Sequence, residues 1–319
     1  MQFNAQVPVS AFGFDSDKAA PAFSLGHEWQ MYVPPEKKYF FREILLKPFM
    51  NWLYAPFGDS ALLVGPTGSG KSSIVEQLAA RLNWPCITVS AHSRMEMPEL
   101  VGYNLPVTDQ LTGDLNTKFV DGPLTKAMRN GFLFVLDEWD TLDPAVTVGL
   151  HAVLEGRPLV IAENNGEVVK PHPNFRFIGC GNTKGQGDGN GLHAGTMMQN
   201  LASLDRFRVF ECPYLSEAEE LKALLDALPQ VDSSIAQRMV RIANSIRDQH
   251  QGKNGQYLSV TMSTRTVLRW ARIATGYASQ GVSEPAKTAL FESLLNRCDQ
   301  VQQTAINQIA KSVFGNDWK

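Results

Sequence analysis

The sequence predicts an α/β protein, with a parallel five-stranded sheet in its first two thirds and helices in its last third. Five short apolar runs, partly β-branched, have the length of buried strands; they lie at residues 61–64, 86–89, 132–136, 175–180 and 207–212. Helical stretches separate the runs, notably at residues 72–82, 124–130 and 144–154. Buried strands that alternate with helices indicate a parallel sheet covered on both faces. After Pro213 the strand pattern ends and helices dominate.

The chain divides into three predicted regions. Residues 1–36 are rich in proline, glycine and polar residues, which predicts an irregular arm laid over a larger body. Residues 37–212 form the α/β domain, which opens with a helix over 37–54. Residues 213–319 form a helical domain. Its helices are predicted to begin at the capping-box pair Ser216 and Glu219 and to continue at residues 231–250, 264–280, 284–299 and 300–313.

Two segments interrupt the expected strand and helix order. Residues 97–121 contain a turn-like Leu-Thr-Gly-Asp between two stretches of strand character. Residues 158–173 contain Asn165 and Gly166 between apolar segments, and Asn-Gly in that position is a strong hairpin signal. We therefore expect two hairpins inserted into the α/β domain.

Composition excludes several classes of protein. The 319 residues include 29 Lys and Arg and 32 Asp and Glu, for a net charge of −3, so we expect neither nucleic acid nor a membrane as a partner. No apolar run approaches the roughly 20 residues that span a bilayer, and no secretory signal opens the chain, which favours the cytoplasm. The four cysteines lack zinc-ligand spacing and are expected to be reduced and buried.

A phosphate-binding motif is the strongest local signal. Its residues are Gly65, Pro66, Thr67, Gly68, Ser69, Gly70, Lys71, Ser72 and Ser73. The pattern GxxxxGK[ST] lies between a predicted strand and a predicted helix. Glycines let backbone N–H groups turn toward phosphate, the helix N-terminus adds positive potential, and Lys71 can reach the β and γ oxygens. We expect ATP as the ligand, with Mg²⁺ coordinated by Ser72; the alternative is an ordinary glycine-rich turn.

Two carboxylates end the third predicted strand. Asp137 and Glu138 follow an apolar run about 65 residues after the phosphate loop. Ligands in open α/β sheets bind at the carboxyl ends of the strands, so both side chains are expected at that rim. Asp137 is placed to hold Mg²⁺ through water, and Glu138 to orient or deprotonate an attacking water. Taken alone, the pair could also be solvated turn residues.

Further polar residues fit a nucleotide hydrolase. Asn182 follows the fourth strand, where its amide could hold the lytic water, although asparagine is also a common turn former. Arg206 precedes the fifth strand and could neutralise phosphate charge, or form a surface pair with Asp205. Arg265 begins a helix and could fold back on the phosphates, or be surface charge.

The remaining candidates are weaker. His151, His172 and His193 lie 21 residues apart and predict no metal site. The tryptophans, among them Trp84, Trp139 and Trp270, are expected in the core or at subunit contacts. The glycine-rich residues 185–195 are expected to be a mobile segment that responds to nucleotide, or a plain loop.

Many segments together carry a resemblance to a known family. They are FGFDSDKAAPAFS in the arm, RLNWPC at 81–86, DGPL at 121–124, DEWD at 137–140, VLEGR at 153–157, KPHPNFRF at 170–177, GNTKGQGD at 181–188, GLHAGT at 191–196, LDRF at 204–207 and MSTRT at 262–266. With the phosphate loop, they resemble AAA+ ATPases of the MoxR/chelatase branch, and most of all the ATPase subunits of aerobic cobaltochelatases. The resemblance covers nearly the whole chain.

The resemblance implies a role for each candidate residue. Lys71, Ser72, Asp137 and Glu138 match the two Walker motifs, Asn182 matches sensor 1, Arg206 matches an arginine finger that acts in the neighbouring subunit, and Arg265 matches sensor 2 in a helical lid domain. The fold implied is an AAA+ P-loop NTPase core, with helix-2 and pre-sensor-1 hairpins at 97–121 and 158–173. The family implies a ring, usually a hexamer, with a von Willebrand A domain protein and a large chelatase subunit as partners.

Four functions remain open at this point. The first is a ring-forming ATPase that remodels a partner, resembling the motor of aerobic cobaltochelatase. The second is a MoxR-type chaperone ATPase that matures another protein or serves a phage or defence system. The third is a nucleic-acid motor, which the acidic charge balance disfavours. The fourth is a binding module with structural nucleotide, which the presence of Glu138 disfavours.

Overall fold

The computed structural model describes residues 2–108, 115–187, 195–253 and 257–318. The chain forms two units. The first contains Met1–Pro66 and Gly70–Cys212, and the second contains Thr67–Ser69 and Pro213–Lys319.

Short elements build the first unit. Its strands are β1 (Ala5–Pro8), β2 (Ala19–Ala22), β3 (Ser60–Val64), β4 (Cys86–Ser90), β5 (Gly102–Thr108), β6 (Leu115–Asp121), β7 (Leu133–Asp137), β8 (Leu159–Ile161), β9 (Glu167–Val169), β10 (Arg176–Gly181) and β11 (Phe207–Glu211). Its helices are α1 (Glu43–Tyr54), α2 (Lys71–Leu82), α3 (Met97–Val101), α4 (Pro123–Asn130), α5 (Pro144–Gly149), α6 (His151–Leu154) and α7 (Leu201–Leu204).

The central sheet has the strand order β11-β3-β10-β7-β4, and each of its four neighbouring pairs is parallel. This confirms the predicted α/β fold. Side chains of β3 alternate between two apolar layers, as the period of a strand requires. Ala61 and Leu63 pack with α1 and α2, whereas Leu62 and Val64 pack with α4. Both faces of the sheet are therefore covered by helices, as is typical of a parallel sheet.

Register aligns the carboxyl ends of three strands. Val64 of β3 pairs with Gly181 of β10, and Leu136 of β7 pairs with Gly179. The residues that follow β3, β7 and β10 therefore emerge at one edge of the sheet.

Helix α1 is shorter than predicted. It begins at Glu43 instead of residue 37, with Arg42 as an extended cap residue. Contacts with α2 hold the preceding backbone outside a helix: the Lys37 N–H donates to Gln77 Oε1 at 2.7 Å, and Arg81 donates to the Lys37 carbonyl at 3.1 Å. The apolar pattern was correct, but tertiary contacts determine where the helix begins.

Two further helix predictions need correction. The predicted helix over 144–154 is divided at Leu150 into α5 and α6, next to Gly149, a residue type that weakens helices. Residues 97–101, expected within a hairpin, form α3, because Glu96 and Glu99 make a reciprocal capping box.

The N-terminal arm is more regular than predicted. Strands β1 and β2 pair antiparallel, and the proline in each hides the pattern in the sequence. Asn83 at the end of α2 anchors the arm, since its amide donates to the carbonyls of Phe23 and Ser24 at 3.3 and 2.5 Å. The arm packs as part of the first unit.

Both inserted hairpins are present. Strands β5 and β6 pair antiparallel, as do β8 and β9, while the turn at 109–114 lies outside the described residues. Arg129 of α4 connects them by donating to Asp121 at 2.8 Å and to both Glu167 oxygens at 2.7 Å. The pKa of Glu167 is lowered, chiefly by its hydrogen bonds from Arg129.

The second unit is helical in its described residues. Its helices are α8 (Glu217–Ala227), α9 (Ser233–His250), α10 (Thr264–Ser279), α11 (Pro285–Ser293) and α12 (Gln300–Phe314). The predicted capping box at Ser216 and Glu219 is confirmed. The predicted helix over 284–299 ends earlier, at Ser293. Glu220 and Arg247 form a buried ion pair at 2.7 Å, and Trp270 is buried in the core.

The cysteines and tryptophans are mainly core residues. Cys86, Cys180 and Cys212 are buried and form no disulfide, as predicted, whereas Cys298 is only partly buried. Trp84 and Trp139 are also buried. No helix in the described part of the chain is long and apolar enough to cross a bilayer.

Candidate nucleotide-binding site

The phosphate loop connects the buried strand β3 to helix α2. Gly68 and Gly70 have φ values of +73° and +92°, which glycine adopts without strain. Gly70 is the cap residue of α2, so the first N–H groups of a 12-residue helix face the loop. A loop of this shape at a helix N-terminus is suited to an anion.

Lys71 is buried at the base of the loop and makes three hydrogen bonds. Its ammonium donates to the carbonyls of Gly65 and Pro66 at 2.8 and 3.1 Å, and to Asn182 Oδ1 at 2.9 Å. Burial lowers the pKa of Lys71, while the nearby carboxylates of Asp137 and Asp140 oppose that shift. A cation held by neutral oxygens can exchange them for phosphate oxygens.

The two predicted carboxylates follow β7 at the same edge of the sheet. Asp137 is half-buried and Glu138 is exposed. Glu138 has φ +58° and ψ +33°, a left-handed conformation that is uncommon for a residue with a side chain. Backbone strain of this kind is concentrated at functional sites, which supports Glu138 as a candidate site residue.

Asn182 connects the lysine to the glutamate. While its Oδ1 accepts from Lys71, its Nδ2 lies 3.4 Å from Glu138 Oε2. The structure therefore brings Lys71, Glu138 and Asn182 into one hydrogen-bonded group. Their catalytic roles remain predictions.

The residues present fit ATP and Mg²⁺. The glycine cradle and the buried ammonium suit a polyphosphate. The Ser72 hydroxyl and the Asp137 carboxylate are oxygen donors, which Mg²⁺ prefers, and Mg²⁺ takes few protein ligands beside phosphate and water. In the ranges that the structure describes, no three His, Cys, Asp or Glu side chains group as metal ligands, and His193 lies outside those ranges.

Arg206 lies at the opposite end of the sheet. The Ser60 N–H donates to the Arg206 carbonyl at 3.3 Å, which places Arg206 beside the first residue of β3, whereas the phosphate loop follows the last. Five strand residues separate these points by about 16 Å. The Arg206 Nε lies 2.6 Å from Glu155 Oε1, and its side chain is 23% exposed. Arg206 is therefore outside the group formed by Lys71, Glu138 and Asn182.

Arg265 belongs to the second unit and is exposed on the first turn of α10. The tip of the phosphate loop, Thr67–Ser69, is part of the same unit. Within that unit, a Cβ at Gly68 would lie 2.5 Å from Ser263 Cβ, and Tyr214 donates to the Thr67 carbonyl at 2.9 Å. The start of α10 thus adjoins the loop tip.

Sequence reasoning missed two residues that contact the predicted site residues. Asp140 is fully buried and accepts hydrogen bonds from the residues after β10, and Glu155 is the partner of Arg206. The third acidic residue of DEWD was a signal for Asp140. Nothing in the sequence distinguishes Glu155 from the other carboxylates of the chain. Of the glycine-rich segment 185–195, residues 188–194 lie outside the described residues.

Comparison with known proteins identifies the family. A model described as "AAA domain (dynein-related subfamily)" matches residues 60–197, and one described as "CbbQ/NirQ/NorQ C-terminal" matches residues 220–313. The aerobic cobaltochelatase subunit CobS of a Sinorhizobium species is 32% identical over 97% of this chain and 90% of its own length. The chain is a MoxR-like AAA+ ATPase.

Two further relatives and one solved structure are similar to this chain. The denitrification regulatory protein NirQ of Stutzerimonas stutzeri is 31% identical over 68% of this chain and 72% of its own. Protein NorQ of Paracoccus denitrificans is 30% identical over 80% of this chain and 86% of its own. A mutant of Thermotoga maritima RuvB shares the fold, with a TM-score of 0.52 over 88% of this chain and 80% of its own at 16% identity.

Proposed function

We propose that this AAA+ ATPase assembles into a ring of six copies, hydrolyses ATP between neighbouring copies, and uses the energy to remodel a partner complex. One observation carries the proposal. Lys71, Glu138 and Asn182 are connected by hydrogen bonds at one end of the sheet, whereas Arg206 is held at the other end. An arginine at that distance does not reach a nucleotide in the phosphate loop of its own chain, which supports a role at the nucleotide of a neighbouring copy.

Each residue then has a defined task. Lys71 exchanges its bonds with the Gly65 and Pro66 carbonyls for bonds with phosphate oxygens. Ser72 and Asp137 would hold Mg²⁺, which supplies charge neutralisation at the phosphates when bound. Glu138 accepts a proton from the attacking water, and the Asn182 amide orients that water. In the second unit, Arg265 is the candidate for a second phosphate sensor.

The likeness to CobS over nearly the full length of both chains supports a chelatase-type motor. In that assignment the partners are a von Willebrand A domain protein and a large chelatase subunit. The match of residues 220–313 to the CbbQ/NirQ/NorQ model supports a second candidate, a MoxR-type chaperone ATPase that matures another enzyme. The two candidates share the ATPase cycle and differ in the protein that is remodelled.

Steady-state ATP hydrolysis with Mg²⁺ tests the cycle. We expect Glu138→Gln to lower kcat by about 10²- to 10⁴-fold, because it removes the general base, while ATP still binds. Glu163→Gln, which neutralises another exposed carboxylate in the β8–β9 hairpin, is the matched control and should turn over normally. Equal turnover by Glu138→Gln and the wild type would remove Glu138 from the mechanism.

Light scattering of Glu138→Gln with ATP tests assembly. A mass of six chains is expected, and a monomer at micromolar concentration would contradict the ring.

Purification of Glu138→Gln from the native host, followed by identification of co-purifying subunits, separates the two candidate functions. A von Willebrand A domain protein together with a large chelatase subunit supports the chelatase motor, and recovery of an unrelated enzyme supports the chaperone.

A further inference from the structure

Asp140 is a buried carboxylate that the proposed cycle does not use. It follows Asp137 by three residues and has no exposed surface. Its Oδ2 accepts three hydrogen bonds, from the Asn182 N–H at 2.9 Å, the Thr183 N–H at 2.7 Å and the Thr183 hydroxyl at 2.9 Å. Among the described residues, its Oδ1 has no hydrogen-bond partner.

Burial of this carboxylate costs free energy that packing alone does not return. Removing a carboxylate from water costs several kcal/mol unless strong hydrogen bonds offset the loss. All three bonds to Asp140 come from one dipeptide, Asn182 and Thr183. Charge-assisted bonds of this kind are about twice as strong as neutral ones. The carboxylate therefore restrains the backbone where β10 ends.

That restraint acts on the candidate site through one residue. The backbone of Asn182 bonds to Asp140, and its side chain contacts Lys71 at 2.9 Å and Glu138 at 3.4 Å. The backbone at Gly181, just before Asn182, is tightly packed. A Cβ at Gly181 would lie 3.4 Å from Asp140 Cγ and 3.3 Å from the Thr183 carbonyl oxygen. Asp140 also shares a turn with Glu138, whose carbonyl accepts from the Thr141 N–H at 2.8 Å.

We propose that Asp140 is a positioning residue of the hydrolytic site, which holds the Asn182 backbone so that the amide side chain lies between Lys71 and Glu138. The inference rests on the proposed ATPase function and adds a residue to it. The hydrogen bonds of the Asp140 carboxylate in the described residues come from Asn182 and Thr183, and not from Lys71 or Glu138. Its effect is transmitted through Asn182, so loss of Asp140 should resemble loss of the Asn182 amide.

A double-mutant cycle tests this transmission. We expect Asp140→Asn to lower kcat by about 10-fold, since a neutral acceptor replaces a charged one, with ATP affinity within about 2-fold of the wild type. Asp140→Ala should approach the kcat of Asn182→Ala. Adding Asp140→Ala to Asn182→Ala should cause little further loss, because both changes remove one function.

Two further variants make the test specific. Thr183→Val removes one bond to Asp140 with little change of shape, so a kcat loss of about 2- to 5-fold is expected without unfolding. Asp143→Asn is the matched control: it neutralises a carboxylate of the same segment that caps α5, and asparagine also caps helices well. It should hydrolyse ATP like the wild type. Hydrogen exchange at the amides of Asn182 and Thr183 should accelerate in Asp140→Asn and not in Asp143→Asn.

The possible outcomes distinguish a failure of the positioning role of Asp140 from a failure of the proposed ATPase function. Wild-type turnover by Asp140→Asn and Thr183→Val, with Asn182→Ala impaired, overturns the inference alone. Fully additive losses in the cycle also overturn it, since they would show that Asp140 acts independently of Asn182. A wild-type chain that hydrolyses no ATP overturns the proposed function together with the inference.

Discussion

The two ends of the central sheet differ in what they present. At the carboxyl ends, a glycine cradle, a buried ammonium, a carboxylate and an amide are connected within hydrogen-bond distance. At the amino ends, Arg206 is paired with Glu155, and His151 Nε2 lies 2.7 Å from Ser203 Oγ. One end has the groups that bind and hydrolyse a nucleotide in the proposed function. The other has Arg206, which lies too far from the phosphate loop of its own chain to contact a nucleotide there, and we therefore propose a site shared between copies.

Substitution of Arg206 gives the largest expected effect of the difference between the two ends of the sheet. We expect Arg206→Ala to lower kcat by about 10³- to 10⁵-fold, the range for an arginine finger, while leaving ATP affinity of the same chain nearly unchanged. Arg208→Ala is the matched control, because Arg208 lies two residues further along the chain, in β11, and pairs with Asp59 at 3.0 Å. Steady-state kinetics and a fluorescent nucleotide titration measure the two quantities.

Mixing variants shows whether the arginine acts between chains. Arg206→Ala has an intact phosphate loop and Lys71→Ala has an intact arginine, so mixed rings should regain part of the activity that each variant lacks. A mixture of Arg206→Ala with the double variant Lys71→Ala, Arg206→Ala should regain none. Absence of recovery in the first mixture, with mixed rings present, would contradict a shared site.

Lys71 tests the opposite end of the sheet, where the strands have their carboxyl ends. Lys71→Ala removes the ammonium that binds phosphate oxygens in the proposed function, so ATP affinity should fall by about 10- to 100-fold. Fluorescent nucleotide titration measures this loss, and the variant should keep the melting temperature of the wild type to within a few degrees. Lys184→Ala, which removes an exposed lysine paired with Glu211, should bind ATP normally. Unchanged affinity in Lys71→Ala would mean that the nucleotide binds elsewhere.

We expect mild acid to lower the folding stability through two histidines near the amino ends of the strands, His151 and His172. Burial and the Arg206 charge lower the pKa of His151, and burial lowers the pKa of His172. Below the ordinary histidine value of about 6.5, the unfolded chain therefore binds more protons than the folded chain, and stability falls as the pH is lowered. Both rings keep some exposure, so we expect less than about 1 kcal/mol.

Thermal melts at pH 7.5 and 5.5 measure this smallest effect. His151→Gln places an amide near the position of Nε2 and does not titrate, so its melting temperature should fall less on acidification than that of the wild type. An equal fall in both proteins would assign the pH dependence to other groups.

The parallel sheet, the phosphate loop and the two hairpins could be predicted because each depends on a local pattern. Strand β3 is five apolar or small residues followed by glycine, and Asn165 with Gly166 adopts the left-handed conformations that a tight turn requires. The start of α1 could not be predicted, since Gln77 and Arg81 of another helix hold the backbone of Lys37. Local propensity contains no information about such contacts.

The candidate site also contains residues that could be predicted from the sequence and residues that could not. Lys71, Asp137 and Asn182 each follow or end a strand in a recognisable pattern, so their shared edge followed from the parallel topology. Asp140 was not assigned, because acidic residues are nearly always exposed and only the structure shows this carboxylate to be buried. The partner of Arg206 was also unpredictable, since Glu155 lies 51 residues earlier in the chain.

The left-handed backbone at Glu138 has a consequence for how this protein can evolve. Glycine or asparagine would occupy that turn with less strain, and the present residue costs about 1 kcal/mol of folding stability there. Selection for heat resistance alone would therefore tend to replace the glutamate. Its retention requires an opposing pressure for turnover, and laboratory evolution toward thermostability should be screened for loss of activity at this position first.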